Sequence, residues 1–355
     1  MYVGYLLSKE HEKLPFSELN ALLEVYIKHN LDSNTTKKVF NNYVVIYNNK
    51  LDAEKIRIIT KRSAYINESY EIVFEMLFDK NKGYIENLNL FYEKLKDLEY
   101  NHISELDSFA VRVIKIPKGC ININSMDIER IVGNIVKNKT NAKVNLKKPS
   151  KVIKIIVLND RIHFAILVEK RDKEYFQKNR PHLRAYFHPG CILPKLARCM
   201  VNLARLKKDD ILLDPFCGTG GFLIEGGFIG CKLIGSDIDN MMVKGALLNL
   251  KSYNLTDRIV SLKQWDAKDI GNYLKSLNIK EVDGIITDPP YGISTSAKGD
   301  IENILNSLSN VLKHNGYMIF ASPRRIDLDN LVLKEIHSIY IHKSLTRYIH
   351  VYKKE

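Results

Sequence analysis

Asp288-Pro-Pro-Tyr-Gly292 is the segment whose residue types point most directly to chemistry. Each proline fixes its own φ angle and lacks an N–H, so the loop is stiff and its carbonyls meet few competing donors. It presents the Asp288 carboxylate and a prolyl carbonyl as fixed acceptors, with Tyr291 as a stacking surface and Gly292 admitting a ring at close range. An exocyclic aromatic amine is planar because its lone pair is delocalised into the ring. Hydrogen bonds from both amine hydrogens to fixed acceptors would localise that pair and aim it at an electrophilic carbon. A base presented this way must leave its stack, and Tyr291 is placed to receive it.

Three further segments sit at strand ends. Asp214-Pro-Phe-Cys-Gly-Thr-Gly-Gly221 follows the run ILLD and opens a helical pattern. A glycine turn there lets a ligand approach backbone N–H groups at a helix N-terminus. The spacing is neither G-x-G-x-x-G nor a P-loop. Asp237, in GSDID, can accept from both hydroxyls of a ribose, although an aspartate there also caps helices. Asp266, in QWDA, can accept from an adenine amino group, and Trp265 beside it is the only tryptophan. Packing in the core is the favoured reading of that ring. Ligands of open α/β sheets bind outside the carboxyl ends of the strands, so these segments would face one crevice.

The elements needed to position them are legible. From residue 211 onward, ILLD, KLIGSD, IVSLKQ, GIITD and GYMIFA alternate with helical segments, the pattern of a parallel sheet covered on both faces. Two later runs, Glu335–Tyr340 and Thr346–Tyr352, are expected to close it as a hairpin. Before residue 171 the texture is α+β. A helix is expected over Ser17–His29, a strand over Tyr43–Tyr47 and a helix over Asn67–Leu77, then a charged, tyrosine-rich stretch. FAVRVIKI (Phe109–Ile116) reads as a strand, and Ser125 as the cap of a helix over Met126–Lys137. Lys151–Leu158 and Arg161–Val168 read as a hairpin turning at Asn159–Asp160.

DPFCGTGG, GSDID, WDA and DPPYG, in this order, resemble the amino-group subset of Rossmann-like S-adenosylmethionine methyltransferases, and Phe187–Leu206 resembles the cofactor segment that precedes their glycine loop. The region Lys61–Arg171 resembles a THUMP domain preceded by a ferredoxin-like unit. Together with HPG…PKLAR and TDPPYG, the whole is similar to the archaeal tRNA guanine-10 N2-methyltransferases that form mono- and dimethylguanosine. The resemblance implies a ferredoxin-like unit at 1–60, THUMP at 61–170, a linker at 171–187 and an α/β Rossmann-like methyltransferase domain at 188–355. It implies that Asp214, Gly218, Thr219, Gly220, Asp237, Ile238, Asp266 and Ala267 line S-adenosylmethionine, with Pro189 and Leu193 closing over it. Asp288, Pro290 and Tyr291 would hold the guanine, and Asp288 would take the amine proton or pass it to solvent. His188 is expected to be structural.

A formal net charge of +13 favours an anionic polymer as partner. Lys137, Lys139, Lys143, Lys147, Lys148, Lys151 and Lys154 are the expected tRNA contacts, joined by Arg171, Lys173, Lys178, Arg180 and Arg184. Five cysteines without a C-x-x-C pair argue for a reducing interior, and no His/Cys/Asp/Glu cluster has metal-ligand spacing. No apolar stretch is long enough to span a membrane, and the first residues lack a basic segment followed by an apolar one. A cytoplasmic monomer is therefore expected. Competing readings are the same chemistry at guanine 6 of tRNA or on ribosomal RNA, amino methylation of DNA, and a non-catalytic RNA-binding factor.

Overall fold

The structure, a computed structural model, describes residues 1–27, 35–119, 122–290, 295–343 and 345–355. Up to residue 170 the elements are β1 (Tyr2–Leu7), α1 (Leu14–Ile27), β2 (Thr36–Phe40), β3 (Tyr43–Tyr47), α2 (Ala53–Arg62), β4 (Ile66–Leu77), α3 (Tyr84–Asp97), β5 (Ser108–Lys115), α4 (Ser125–Thr140), β6 (Lys143–Val144), β7 (Lys151–Val157) and β8 (Arg161–Lys170). Then follow α5 (Lys173–Lys178), α6 (Pro194–Leu203), β9 (Ile211–Asp214), α7 (Gly221–Phe228), β10 (Lys232–Asp237), α8 (Asn240–Ser252), β11 (Ile259–Gln264), α9 (Ile270–Ser276), β12 (Val282–Thr287), α10 (Thr295–Leu308), β13 (Leu312–Ser322), β14 (Val332–His342) and β15 (Leu345–Lys353).

Contacts divide the chain into two units. One holds Met1–Lys9, Asn30–Lys61 and Ile66–Arg171; the other holds Glu10–His29, Arg62–Tyr65 and Asp172–Glu355. In the first unit, eight strands form one sheet in the order β2-β3-β1-β4-β8-β7-β5-β6. The boundary expected at residue 60 falls inside α2, and strands from both sides of it share this sheet. Helices α3 and α4 cover one face: Leu88, Phe91 and Leu95 with Ile128, Val132 and Val136 meet Ile153, Ile155 and Phe164. Asn124, not Ser125, caps α4, its side chain accepting from the Met126 N–H.

The expected helix over Asn67–Leu77 is instead the central strand β4, paired on both edges. A register shift between Ile72 and Phe74 explains the misreading. It turns Tyr70 and Ile72 to one face and Phe74 and Met76 to the other. The bulge leaves Tyr70, Val73, Phe74 and Leu77 apolar at helical spacing.

In the second unit, β9 to β13 are parallel and β14–β15 close the sheet as an antiparallel hairpin, in the order β11-β10-β9-β12-β13-β15-β14. This is the expected Rossmann-like architecture. Helix α1, distant in sequence, belongs to this unit. Glu18, fully buried, accepts from the Ala64 and Tyr65 N–H groups and from Asn202 Nδ2, each at 2.7 Å. Arg62 donates to Asn202 Oδ1 and to the Leu206 carbonyl, both at 2.8 Å. The stretch 171–187 contains α5, whose Tyr175 hydroxyl bonds the buried Glu225, itself paired with Arg198 at 2.7 Å. Among the described residues no helix is long and apolar enough to cross a membrane.

Candidate active site

Strand β9 delivers Asp214 to the carboxyl edge of the sheet, and the chain turns through Gly218 and Gly220 into α7. Gly218 and Gly220 have φ of +49° and +83°, left-handed values that favour glycine. A Cβ on Gly218 would meet nothing within 4 Å, so its open side faces space. The turn is held by the neighbouring strand: Cys217 N–H donates to the Ser236 carbonyl at 2.8 Å and Gly218 N–H to Asp237 Oδ2 at 2.9 Å. Asp237 Oδ1 accepts from the Asp239 N–H at 3.0 Å.

Asp214 is 1% exposed. Its Oδ1 accepts from the Thr287 hydroxyl at 2.8 Å and the Phe216 N–H at 3.2 Å, while buried Oδ2 has no hydrogen-bond partner. Burial pushes this carboxyl from its ordinary 3.8 up to about 8. Bonds from Thr287 and Phe216 pull it back, and the carboxylates of Asp237 and Asp288 push it further up. The adjacent Cys217 thiol is also pushed up, by burial first and then by Asp214 and Asp237, so it stays protonated.

A cavity of about 140 Å³ opens between this turn and the upstream segment, lined by Pro189, Asp214, Gly218, Thr219 and Asp288 together with His188, Cys191 and Met242. The upstream segment is stapled by Asn249 of α8. Its side chain bonds both backbone groups of Tyr186, at 2.8 and 3.0 Å, and the Thr219 carbonyl at 2.9 Å. Cys191 Sγ bridges the His188 carbonyl at 2.7 Å and the Thr219 hydroxyl at 3.0 Å. His188 is exposed and lines the cavity.

The remaining sequence-derived residues lie around this cavity's lining rather than in it. Gly220 forms the turn, Leu193 and Ile238 are 59% and 69% exposed, and Ala267 is buried. Asp266 accepts from the Lys268 N–H at 2.9 Å as a cap. Trp265 stacks on Tyr273 with centroids 5.1 Å apart and donates to the Asp269 carbonyl, a packing role. Pro290 is exposed, and Tyr291 lies outside the described residues. Thr287, Asn249 and Cys191 escaped the sequence reading. Thr287 adjoins Asp288 and was signalled only by that adjacency. The other two acquire partners only through folding.

The basic positions divide. Lys137, Lys139, Lys143, Lys147 and Lys148 are exposed, as are Lys173, Lys178 and Arg180. Lys154 is 6% exposed and paired with Glu68 at 2.7 Å. Arg171 and Arg184 are each 8% exposed. These three are sequestered by packing and removed from the expected tRNA-contacting set.

A family model described as RMKL-like, methyltransferase domain matches residues 181–341, and the THUMP domain model matches 86–174. A tRNA (guanine(10)-N2)-dimethyltransferase of Methanocaldococcus jannaschii is 49% identical over 360 residues, covering 99% of each chain. The chain belongs to the family of these methyltransferases. Another tRNA (guanine(10)-N2)-dimethyltransferase, from Methanothermobacter thermautotrophicus, is 37% identical with full coverage of both chains. The crystal structure of TrmN from Thermus thermophilus shares the fold across all of both chains, with TM-score 0.58 at 18% identity. The cavity at the strand ends is therefore the candidate active site of a methyltransferase, and the THUMP match falls in the first unit.

Proposed function

We propose that the chain transfers methyl groups from S-adenosylmethionine to the N2 amino group of guanine 10 in tRNA, giving N2-methyl- and N2,N2-dimethylguanosine. One observation carries the reading: Asp214, Gly218, Thr219 and Asp288, from separate strand ends, line a single cavity. The residues fit the cofactor. Asp214 Oδ2 is a buried acceptor without a partner, Gly218 faces open space, and Ile238 beside Asp237 exposes apolar surface for an adenine to cover. Asp237 and Asp266 retain lone pairs for a ribose and an adenine amine, with Ala267 and Gly220 shaping the backbone and Pro189 and Leu193 above.

S-adenosylmethionine, when bound, supplies a methyl group on a cationic sulfur that leaves as a neutral thioether. The protein's part is positioning. Asp288 and the Pro290 carbonyl accept the two amine hydrogens and aim the nitrogen lone pair, and Tyr291 stacks on the flipped base. As the new N–C bond forms, the amine loses one proton to Asp288 or through it to solvent. The first unit grips tRNA through the exposed lysines of its THUMP region. Position 10 is favoured over position 6 because both full-length relatives bear the position-10 name.

Incubation with labelled S-adenosylmethionine and unmodified tRNA, followed by nuclease digestion and mass mapping, tests the site, the atom and the number of methyls. Asp288→Asn should lower turnover by about 100-fold or more while cofactor affinity is kept. Label at another nucleotide, or preferential labelling of DNA, would overturn the assignment.

A further inference from the structure

Asp288 does not stand alone at the crevice. Arg347 of β15 places Nη2 3.4 Å from Asp288 Oδ2, and the two side chains are only 15% and 18% exposed. The register explains the meeting. Thr287 lies beside Phe320 of β13, which pairs with His350 of β15, and β13 ends at Ser322 opposite Tyr348. Arg347 is the next residue out, at the edge where β12 hands Asp288 to the prolyl loop. The closing hairpin thus returns one cation to the loop that carries the acceptor.

We propose that Arg347 is the positioning residue of the DPPY carboxylate, holding Asp288 ionised and oriented as an acceptor for the guanine amine. This rests on the role assigned to Asp288 above. The groups facing Asp288 give the reason a cation is needed there. Asp214 of β9 interacts with it unfavourably, and Asp237 of β10 adds to the same acidic field. His188 and Cys191 line the cavity from the upstream segment. Two carboxyls sharing a poorly hydrated crevice disfavour each other's ionisation, and a neighbouring guanidinium decides which is charged. Arg347 contacts Asp288, whereas Asp214 is driven to its neutral form by burial. A protonated Asp288 would keep one oxygen as a donor and could no longer gather the amine hydrogen. Arginine suits the task because its guanidinium stays charged throughout the working range and fixes the carboxylate plane.

The test is single-turnover methyl transfer to tRNA as a function of pH, with cofactor and tRNA affinities measured in parallel, for wild type, Arg347→Gln, Arg347→Lys and Asp288→Asn. Removing the charge should raise the acidic limb of the rate profile by about one to three pH units. The rate near neutrality should fall by about 10- to 100-fold and recover on the alkaline side, with both affinities within about threefold of wild type. Arg347→Lys keeps a cation, so its limb should stay near that of wild type with a smaller loss of rate. If Arg347→Gln does not fold, Arg347→Met is the second variant and carries the same expected shift. A folded neutral variant with an unmoved limb, whether its rate is full or uniformly lowered, overturns the proposal. Wild-type turnover by Asp288→Asn would instead sink the underlying role of Asp288. An inactive Asp288→Asn beside an Arg347→Gln matching wild type at every pH would sink the inference alone.

Discussion

Asp214→Asn isolates what it costs the protein to keep a carboxyl inside its glycine turn. The side chain is 1% exposed and titrates at about 8 instead of 3.8. The native state therefore holds the proton more tightly than the unfolded chain. The stability this represents is complete below the unfolded value and is lost as pH rises through 8. Each pH unit above 3.8 forfeits about 1.4 kcal/mol, so the loss is roughly 1.5 kcal/mol near pH 5 and roughly 4 kcal/mol near pH 7. The difference, roughly 2.5 kcal/mol, corresponds to about 5–10 °C in Tm for a unit of this size. Asparagine cannot ionise and should lack that slope, whatever constant offset its buried amide introduces. Thermal unfolding of the cofactor-free proteins across this range reads the difference directly: wild type should lose about 5–10 °C more than Asp214→Asn between roughly pH 5 and pH 7. Parallel melting curves for the two would refute the claim that burial keeps Asp214 neutral. The same variant should bind S-adenosylmethionine weakly, because its acceptor oxygen is partly replaced by a donor.

Two further outcomes follow from other parts of the molecule. Glu18→Gln replaces one acceptor oxygen of a fully buried carboxylate that serves three donors, and should cost about 2–4 kcal/mol, read as a Tm loss of about 5–12 °C; an unchanged melting temperature would mean that α1 is not anchored there. Replacing the exposed Lys143, Lys147 and Lys148 together by alanine should weaken tRNA binding and flatten the dependence of log K on log salt by about 2, whereas Lys154→Ala should act on stability instead. Filter binding over a salt series checks the first, and an unaltered slope would remove these lysines from the interface.

The catalytic half was legible because each chemical segment ends a strand, and the strands read as short apolar runs between helices. Five successive strand-and-turn signals constrain the topology strongly, since parallel strands need crossovers. The N-terminal half was less legible for two physical reasons. The bulge in β4 destroys the period of two, so a central strand imitates a helix. Helix α3, whose buried Leu88, Phe91, Tyr92 and Leu95 form a stripe, is interleaved with charged residues and was passed over. Unit boundaries were harder still. Glu18, Arg62 and Asn202 meet across more than a hundred residues, and no local pattern marks a buried glutamate that accepts backbone N–H groups of another segment.

The same limit separates the acids of the crevice from what governs them. Asp214, Asp237 and Asp288 look equivalent as sequence, each the last residue of, or the first residue after, a strand. Folding gives each a different partner. Asp214 is enclosed and bonded by the Thr287 hydroxyl, Asp237 is bonded by the Gly218 and Asp239 N–H groups, and Asp288 faces the Arg347 guanidinium. Like charges converging on one crevice are tolerable only when they are differentiated in this way: one neutral, one held by backbone dipoles, one paired with a cation. The residue supplying that cation lies about sixty positions downstream in a hairpin that carries none of the four chemical segments. A strand that closes the sheet therefore also reaches into the site, and Thr287, one residue before the prolyl loop, ties the acid of the glycine turn to the strand that bears the acceptor. Cofactor side and base side are joined through a single buried hydroxyl, so a change at either is expected to be felt at the other.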